Sequence, residues 1–185
     1  LSKLIVTERF NLFKNNNIEI IRTDSRSYEE LKEKIIKFNP NIIIHLAAVS
    51  HANKSNIDPY STFDNSLRTL ENSLDCSREL KDLKRFIYFS SSMVYGNFNS
   101  IGVTEETPCR PIGIYGTLKL SGELIIKSYN LVFGMPYTII RPSALYGERC
   151  VSRRVGQIFI ENAIQNLDIN INGDGKDSLD FTYIE

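Results

Sequence analysis

The sequence predicts an α/β protein built on a doubly wound parallel sheet, and three observations carry that prediction. Apolar runs of strand length alternate with amphipathic stretches of helix length along the chain. Residues 42–46 read as one apolar run, the pattern of a strand covered on both faces. The runs end in polar or small residues, at Asp24, at Ala47 to His51, at Ser90 to Ser92 and at Pro142 to Gly147. Sheets of this class hold their ligands just beyond the carboxyl ends of the strands.

The elements follow in order. Residues 18–22 form a short apolar run between Asn17 and Asp24 and read as a strand. Ser27 and Glu30 form a capping box that opens a helix with Leu31, Ile35 and Ile36 on one face, and Asn39-Pro40 closes it. After the strand at 42–46, Asp58 caps a second helix with Pro59 in its first turn. Tyr60, Phe63, Leu67, Leu70, Leu74 and Ser77 make its inward stripe. Residues 85–90 read as a strand, 114–133 as a long helix stopped by Gly134 and Pro136, and 137–141 as a strand. Residues 151–165 read as a helix with Val155, Ile158, Phe159 and Ala163 inward. Residues 168–171 read as a last strand before a turn at Gly173-Asp174-Gly175.

Composition narrows the function. The 185 residues are 42% apolar and 24% charged, as in an ordinary globular protein, and length favours one domain or slightly more. Lys plus Arg balances Asp plus Glu at 22 each, so the broad basic signature of a nucleic-acid binder is absent. The apolar runs are far shorter than a membrane span. Three scattered cysteines, Cys76, Cys109 and Cys150, without a paired motif suit a reducing cytoplasm. Two histidines, His45 and His51, with no cysteine cluster beside them argue against a metal site.

Tyr115 and Lys119 are four apart on the long helix and so share a face. An ammonium beside a phenol favours phenolate, and such a tyrosine can act as a general base on an alcohol. With nine tyrosines in the chain, a Tyr-x-x-x-Lys pair arises by chance about every second time; the plain reading is a half-buried Tyr beside a solvated Lys. Ser90-Ser91-Ser92 ends a strand some two dozen residues earlier, where a hydroxyl can meet a substrate oxygen or simply cap a turn.

Taken together, Phe89-Ser-Ser-Ser-Met-Val-Tyr-Gly96, Tyr115-Gly-Thr-Leu-Lys119 and Arg141-Pro-Ser-Ala-Leu-Tyr-Gly147 resemble the extended short-chain dehydrogenases/reductases. More narrowly, they resemble the NAD-dependent nucleotide-sugar epimerase/dehydratase family. His45-Leu-Ala-Ala48 and Asp180-Phe-Thr-Tyr-Ile184 are similar to further family segments, in family order over essentially the whole chain. The resemblance implies a Rossmann-like core. It assigns Ser91, Tyr115 and Lys119 to catalysis, with Tyr115 as acid/base and Lys119 on the nicotinamide ribose. It places Asp24 at adenine, and Leu46, Ala47, Ala48, Ser50, Asn65, Pro142 and Ser143 along the cofactor. Ser91, Ser92, Arg149, Arg153 and Arg154 are its candidates for the substrate. Plainer alternatives are an Asn65 bonded within its own helix, a surface-loop His51 and arginines that form a solvated helix start. His45 reads rather as a packing residue behind its strand.

The family's opening strand, Gly-x-x-Gly-x-x-Gly turn and helix have no counterpart here, and residues 1–15 read as the stretch after its second strand. The expectation is therefore an internal piece, residues 1–185, of a cofactor-binding core, without the first strand–helix–strand unit and most of the substrate lobe. Three positions depart from the family: Met93 where dehydratases carry Glu and some epimerising synthases Cys, Ala144 where Asn is usual, and Leu179 where Arg is usual. Met93 moves no proton, so the resemblance points to NAD-dependent epimerisation through a keto intermediate, with NADP open as the cofactor. The alternatives are a 4,6-dehydratase, which Ser50-His51-x-x-x-Ser55 favours, a keto-sugar reductase, and a non-catalytic dinucleotide sensor on the same fold. A homodimer pairing residues 58–80 and 114–133, with Leu118, Ile125 and Tyr129 facing outward, is the expected assembly.

Overall fold

A computed structural model describes residues 2–97, 102–150, 154–176 and 179–184. The chain divides into two compact units, residues 23–142 and residues 1–22 with 143–185. Among the described residues no helix is long and apolar enough to cross a membrane.

The first unit is a three-stranded parallel sheet with helical crossovers. β1 (Ile42–His45), β2 (Arg85–Phe89) and β3 (Tyr137–Ile140) lie side by side in that order. Ile43 stands opposite Phe86, and Tyr88 opposite Ile139. Parallel neighbours need long connections. Between β1 and β2 run α3 (Ala52–Ile57), α4 (Pro59–Phe63), a π-helical turn (Asp64–Arg68) and α5 (Thr69–Ser77). Between β2 and β3 runs α6 (Gly113–Phe133). α2 (Tyr28–Phe38) precedes β1 and buries Leu31.

The core lies between one sheet face and helices α5 and α6. Leu67, Leu70 and Leu74 meet Phe86, Tyr88, Ile126 and Met135, with Ile43, Leu118, Ile125, Tyr129 and Ile139 packed around them. Period-2 alternation fixes which strand residues face this core. Gly122 lets α6 approach closely, because a Cβ there would stand 2.6 Å from the Tyr88 hydroxyl.

Several expectations change. Residues 18–22 are irregular, because no strand pairs with them among the described residues. Ile42 and Ile44 are exposed, so among the described residues of this unit β1 is not the strand covered on both faces that its composition predicts. Ser27 caps α2 by backbone conformation without a side-chain hydrogen bond, whereas the Asp58 carboxylate does accept from the Ser61 N–H at 3.0 Å. The inward stripe of the next helix starts at Leu67: Tyr60 and Phe63 are exposed, because the π turn shifts their phase relative to α5. On α6, Leu118, Ile125 and Tyr129 pack inward, while Leu124, Leu131 and Val132 are exposed.

The second unit holds α1 (Ser2–Asn15), β4 (Ala144–Tyr146), α7 (Val155–Ile164) and β5 (Phe181–Tyr183). β4 and β5 pair in parallel, Ala144 opposite Phe181, and Tyr146 contacts both Phe181 and Tyr183. The expected strand at 168–171 does not form; those residues are irregular, and the pairing partner of β4 comes from 181–183 instead. On α7, Ile158 and Phe159 are half-buried while Val155 and Ala163 are exposed; residues 151–153 of the expected helix lie outside the described residues.

Candidate active site

The carboxyl end of β2 organises the site. β2 runs into Ser90 and Ser91, then a 3₁₀ turn (Ser92–Tyr95). β3 extends this pairing: the Ser90 N–H donates to the Ile140 carbonyl at 2.8 Å and the Ser92 N–H to the Pro142 carbonyl at 2.9 Å. The Ser91 side chain caps the turn, its Oγ accepting from the Met93 N–H at 3.2 Å. That bond uses an oxygen lone pair, so the hydroxyl keeps a proton to donate. Ser91 is buried, Ser92 is half-buried, and the Met93 side chain is exposed.

α6 brings the other two groups. Gly116 sits against the turn so tightly that a Cβ there would lie 2.6 Å from the Met93 carbonyl oxygen. This contact sets the first turn of α6, and hence half-buried Tyr115, beside the Ser91 turn. One helical turn later Lys119 is 7% exposed; its Nζ donates to the Phe89 carbonyl at 2.7 Å, 5.0 Å from the Tyr88 ring centre and 6.0 Å from that of Tyr115. Burial pulls its pKa down to about 8, so the ammonium still predominates about tenfold at pH 7. Ser91, Tyr115 and Lys119 thus converge on one strand end, as the sequence predicts.

A turn further along α6 is Glu123, fully buried, which sequence reasoning missed. Ser90 Oγ donates to its Oε1 at 2.6 Å, and Arg141 donates from Nε to Oε1 at 2.9 Å and from Nη2 to Oε2 at 2.6 Å. Arg141 Nη1 also donates to the Tyr95 hydroxyl at 2.9 Å. The carboxylate bonds raise the guanidinium pKa further. This bidentate pair ties the ends of β2 and β3 to α6. The signal was present in the sequence, since Tyr115, Lys119 and Glu123 repeat at intervals of four on one face.

The residues after β1 form a second edge. Leu46 is 65% exposed, Ala47 and Ser50 are exposed, and Ala48 is half-buried. Their backbone is pinned from the helix behind: Thr69 Oγ1 donates to the Ala47 carbonyl at 3.2 Å, and the Val49 N–H donates to Ser66 Oγ at 3.2 Å. Asn65 gives its amide N–H to the Ser61 carbonyl at 2.8 Å, within its own helix. Asp24 is exposed and held bidentately by Arg26, at 3.0 Å from Nε and 2.7 Å from Nη2, which keeps its carboxyl pKa down at about 2. The Asn72 amide fixes this corner by donating to the Ser25 and Arg26 carbonyls.

His45 is buried against Phe86 and Tyr88, its ring centre 6.0 and 6.1 Å from theirs, so it does pack behind the strand. Its Nε2 has no hydrogen-bond partner among the described residues. Burial, reinforced by the Lys119 charge, pushes its pKa down to about 4. His51 is half-buried, and its carbonyl accepts from Ser55 Oγ at 3.1 Å. Ser55 is fully buried and bonded inside α3, which leaves the Ser-His-x-x-x-Ser pattern with a structural role there. Arg149 and Arg154 belong to the other unit, both exposed; Arg149 pairs with Glu148 at 3.0 Å, and its carbonyl accepts from Arg9. Ser143 is half-buried in that unit, and Arg153 lies outside the described residues.

Residues 3–185 match the NAD dependent epimerase/dehydratase family. A Methanocaldococcus jannaschii protein provisionally named a UDP-glucose 4-epimerase is 33% identical over 98% of this chain and 61% of its own length. A dTDP-D-glucose 4,6-dehydratase of Dictyostelium discoideum is 30% identical over 95% of this chain and 41% of its own. The crystal structure of a Bacillus cereus UDP-glucuronic acid 4-epimerase, in complex with UDP-glucuronic acid and NAD, superposes with a TM-score of 0.82 at 27% identity. That match covers 96% of this chain and 55% of the other. The chain spans between about two fifths and three fifths of the length of these proteins.

Proposed function

The chain belongs to the NAD dependent epimerase/dehydratase family, and from that premise we propose that the protein epimerises a nucleotide-activated sugar through a keto intermediate, with C4 the leading carbon. One observation carries the reading. Ser91, Tyr115 and Lys119 converge on the end of β2, while the neighbouring side chain able to reach out of the turn is Met93, which is 40% exposed.

NAD is the cofactor of this reading, and the residues present suit it. Exposed Leu46 at a parallel-strand end is an apolar surface that a flat ring system would cover. Among the described residues the Lys119 ammonium has the Phe89 carbonyl as its acceptor, leaving protons for ribose hydroxyls. Asp24 and Arg26 stand at the adenine side, and Ala47, Ala48 and Ser50 along the phosphates and ribose. When bound, NAD supplies a hydride acceptor that later returns the hydride. The protein's own residues manage the proton. Tyr115, as phenolate, accepts it from the sugar hydroxyl, the Lys119 charge favouring that form. Ser91 donates a hydrogen bond to the same oxygen as it becomes a carbonyl. The keto-sugar then turns over, so that its carbon would take the hydride back on the other face while Tyr115 returns the proton to the same oxygen.

Dehydration needs more: a base at C5 and an acid for the departing hydroxyl. A thioether supplies neither. The test is incubation of the protein with UDP-, GDP-, CDP- and dTDP-hexoses, followed by chromatography and mass spectrometry. An isomer of unchanged mass is expected. Loss of one water from any substrate would overturn the reading and select dehydration.

The homodimer remains part of this proposal on different residues from those first expected. Tyr60 on α4 and Leu124 and Leu131 on α6 are the exposed apolar groups such pairing would cover. Light scattering at tens of micromolar should show a dimer; a monomer removes this part.

A further inference from the structure

We propose that Asn56, on the short helix α3, is a positioning residue for Tyr115, because it caps the catalytic helix α6 from outside that helix. The proposal rests on the role given to Tyr115 above.

The need for a cap is visible in α6 itself. Its first turn carries N–H groups with no partner inside the helix. The residue before it is Ile112, whose side chain has no acceptor, and α6 has no side-chain N-cap of its own. Asn56 supplies one: its Oδ1 accepts from the Ile114 N–H at 3.1 Å. Gly113 makes the approach possible. It begins α6 at φ +79°, and a Cβ there would stand 3.2 Å from Asn56 Oδ1. A side chain at 113 would be strained by conformation and crowd the cap.

The capped residue is the immediate neighbour of Tyr115. Gly116, on its other side, is locked against the Met93 carbonyl. Tyr115 therefore sits between two fixed points, one given by the Ser91 turn and one by α3. The second point has its own anchor. α3 follows Ser50 and His51 at the cofactor-side edge, and fully buried Ser55 beside Asn56 bonds the His51 carbonyl. Asn56 thus links the cofactor-side loop to the helix that bears the base. Without it, the first turn of α6 would fray and Tyr115 would sample positions off the sugar hydroxyl. Misplacement of a reacting group lowers turnover more than it lowers binding.

Two variants and two readouts test this. Asn56→Ala removes the acceptor; Asn56→Asp keeps it and adds a negative charge at a helix N-terminus, where such a charge is stabilising. In hydrogen–deuterium exchange, the amides of Ile114, Tyr115 and Gly116 should exchange about tenfold faster in Asn56→Ala and stay protected in Asn56→Asp. This readout needs no substrate. On the epimerisation substrate, Asn56→Ala should lower kcat about tenfold with KM within about twofold, an interaction felt in the transition state rather than in binding. Asn56→Asp should retain most of kcat but move the acid limb of its pH profile upward, because a nearby negative charge opposes phenolate formation. Unchanged exchange in Asn56→Ala overturns the proposal, as does fast exchange with wild-type kcat and pH profile. If the wild type turns over no nucleotide sugar while exchange at 114–116 responds as expected, the functional reading fails and the cap stands.

Discussion

Acidification is expected to weaken the native state through His45. The residue is 6% exposed, flanked by two aromatic rings, and its Nε2 has no partner among the described residues. Burial first, and the Lys119 charge second, lower its pKa from 6.5 to about 4. The sign follows from proton binding. Above pH 6.5 the imidazole is neutral folded and unfolded, so it adds no pH dependence. Between pH 6.5 and 4 the unfolded chain holds the proton and the native state does not. Stability therefore falls as pH drops through this window. The loss is about 2 kcal/mol at pH 5 and about 3 kcal/mol at pH 4. Urea denaturation of wild type and His45→Leu, at half-unit steps from pH 7.5 to 4.5, measures it. Leucine fills similar space and carries no charge, so carboxylate contributions common to both proteins cancel in the difference. The wild-type curve should converge toward, or cross below, that of the variant as pH falls. Parallel curves would refute the reasoning, because they would mean that His45 titrates alike in both states.

Three more outcomes are expected. Tyr115→Phe keeps the ring and loses the proton acceptor, so turnover should fall by roughly 10²–10⁴ with little change in cofactor binding; near-normal turnover on the true substrate would mean another base. Arg141→Met leaves the Glu123 carboxylate buried without its guanidinium, and chemical denaturation should show a loss of about 3–5 kcal/mol. The chain of residues 1–185 contains no Gly-x-x-Gly-x-x-Gly turn, so calorimetry should find NAD binding weaker than micromolar for it alone.

What was legible in the sequence follows physical range. α2, β1, β2, β3 and α6 were readable because their apolar periodicity is local and the helix stops, Asn39-Pro40 after α2 and Gly134 after α6, act on their own backbone. The candidate catalytic group was readable because Tyr115 and Lys119 share a helix face and Ser90 to Ser92 end a strand, with the family resemblance singling out Ser91 among them. Residues 18–22 and 168–171 have strand composition, but a strand exists only through a partner, and composition does not say which run finds one. β4 and β5 were missed for the same reason: each is three residues long, and they pair across 34 intervening positions. The inward stripe of the helix after Asp58 failed at Tyr60 and Phe63 because a 3.6-residue period was carried through a π turn. Asn56 was invisible because its role lies 58 residues away, at the Ile114 amide.

The π turn at Asp64–Arg68 also sets a rule for chain length. An α-helix turns about 100° per residue, and the wider turn absorbs one residue's worth of that rotation without shifting the ends. Removing a single residue between 64 and 68 would allow a continuous α-helix. Residues 59–63 would keep their orientation relative to Leu67, Leu70 and Leu74, because the wider turn holds them as though the surplus residue were not there. Thr62 would stay buried, and the helix would read with an unbroken 3.6-residue period. A one-residue deletion within 69–77, where no residue is in surplus, would instead swing one part of the helix by about 100° against the other. The gene should therefore tolerate the loss of one codon within 64–68 far better than the same loss one or two turns later.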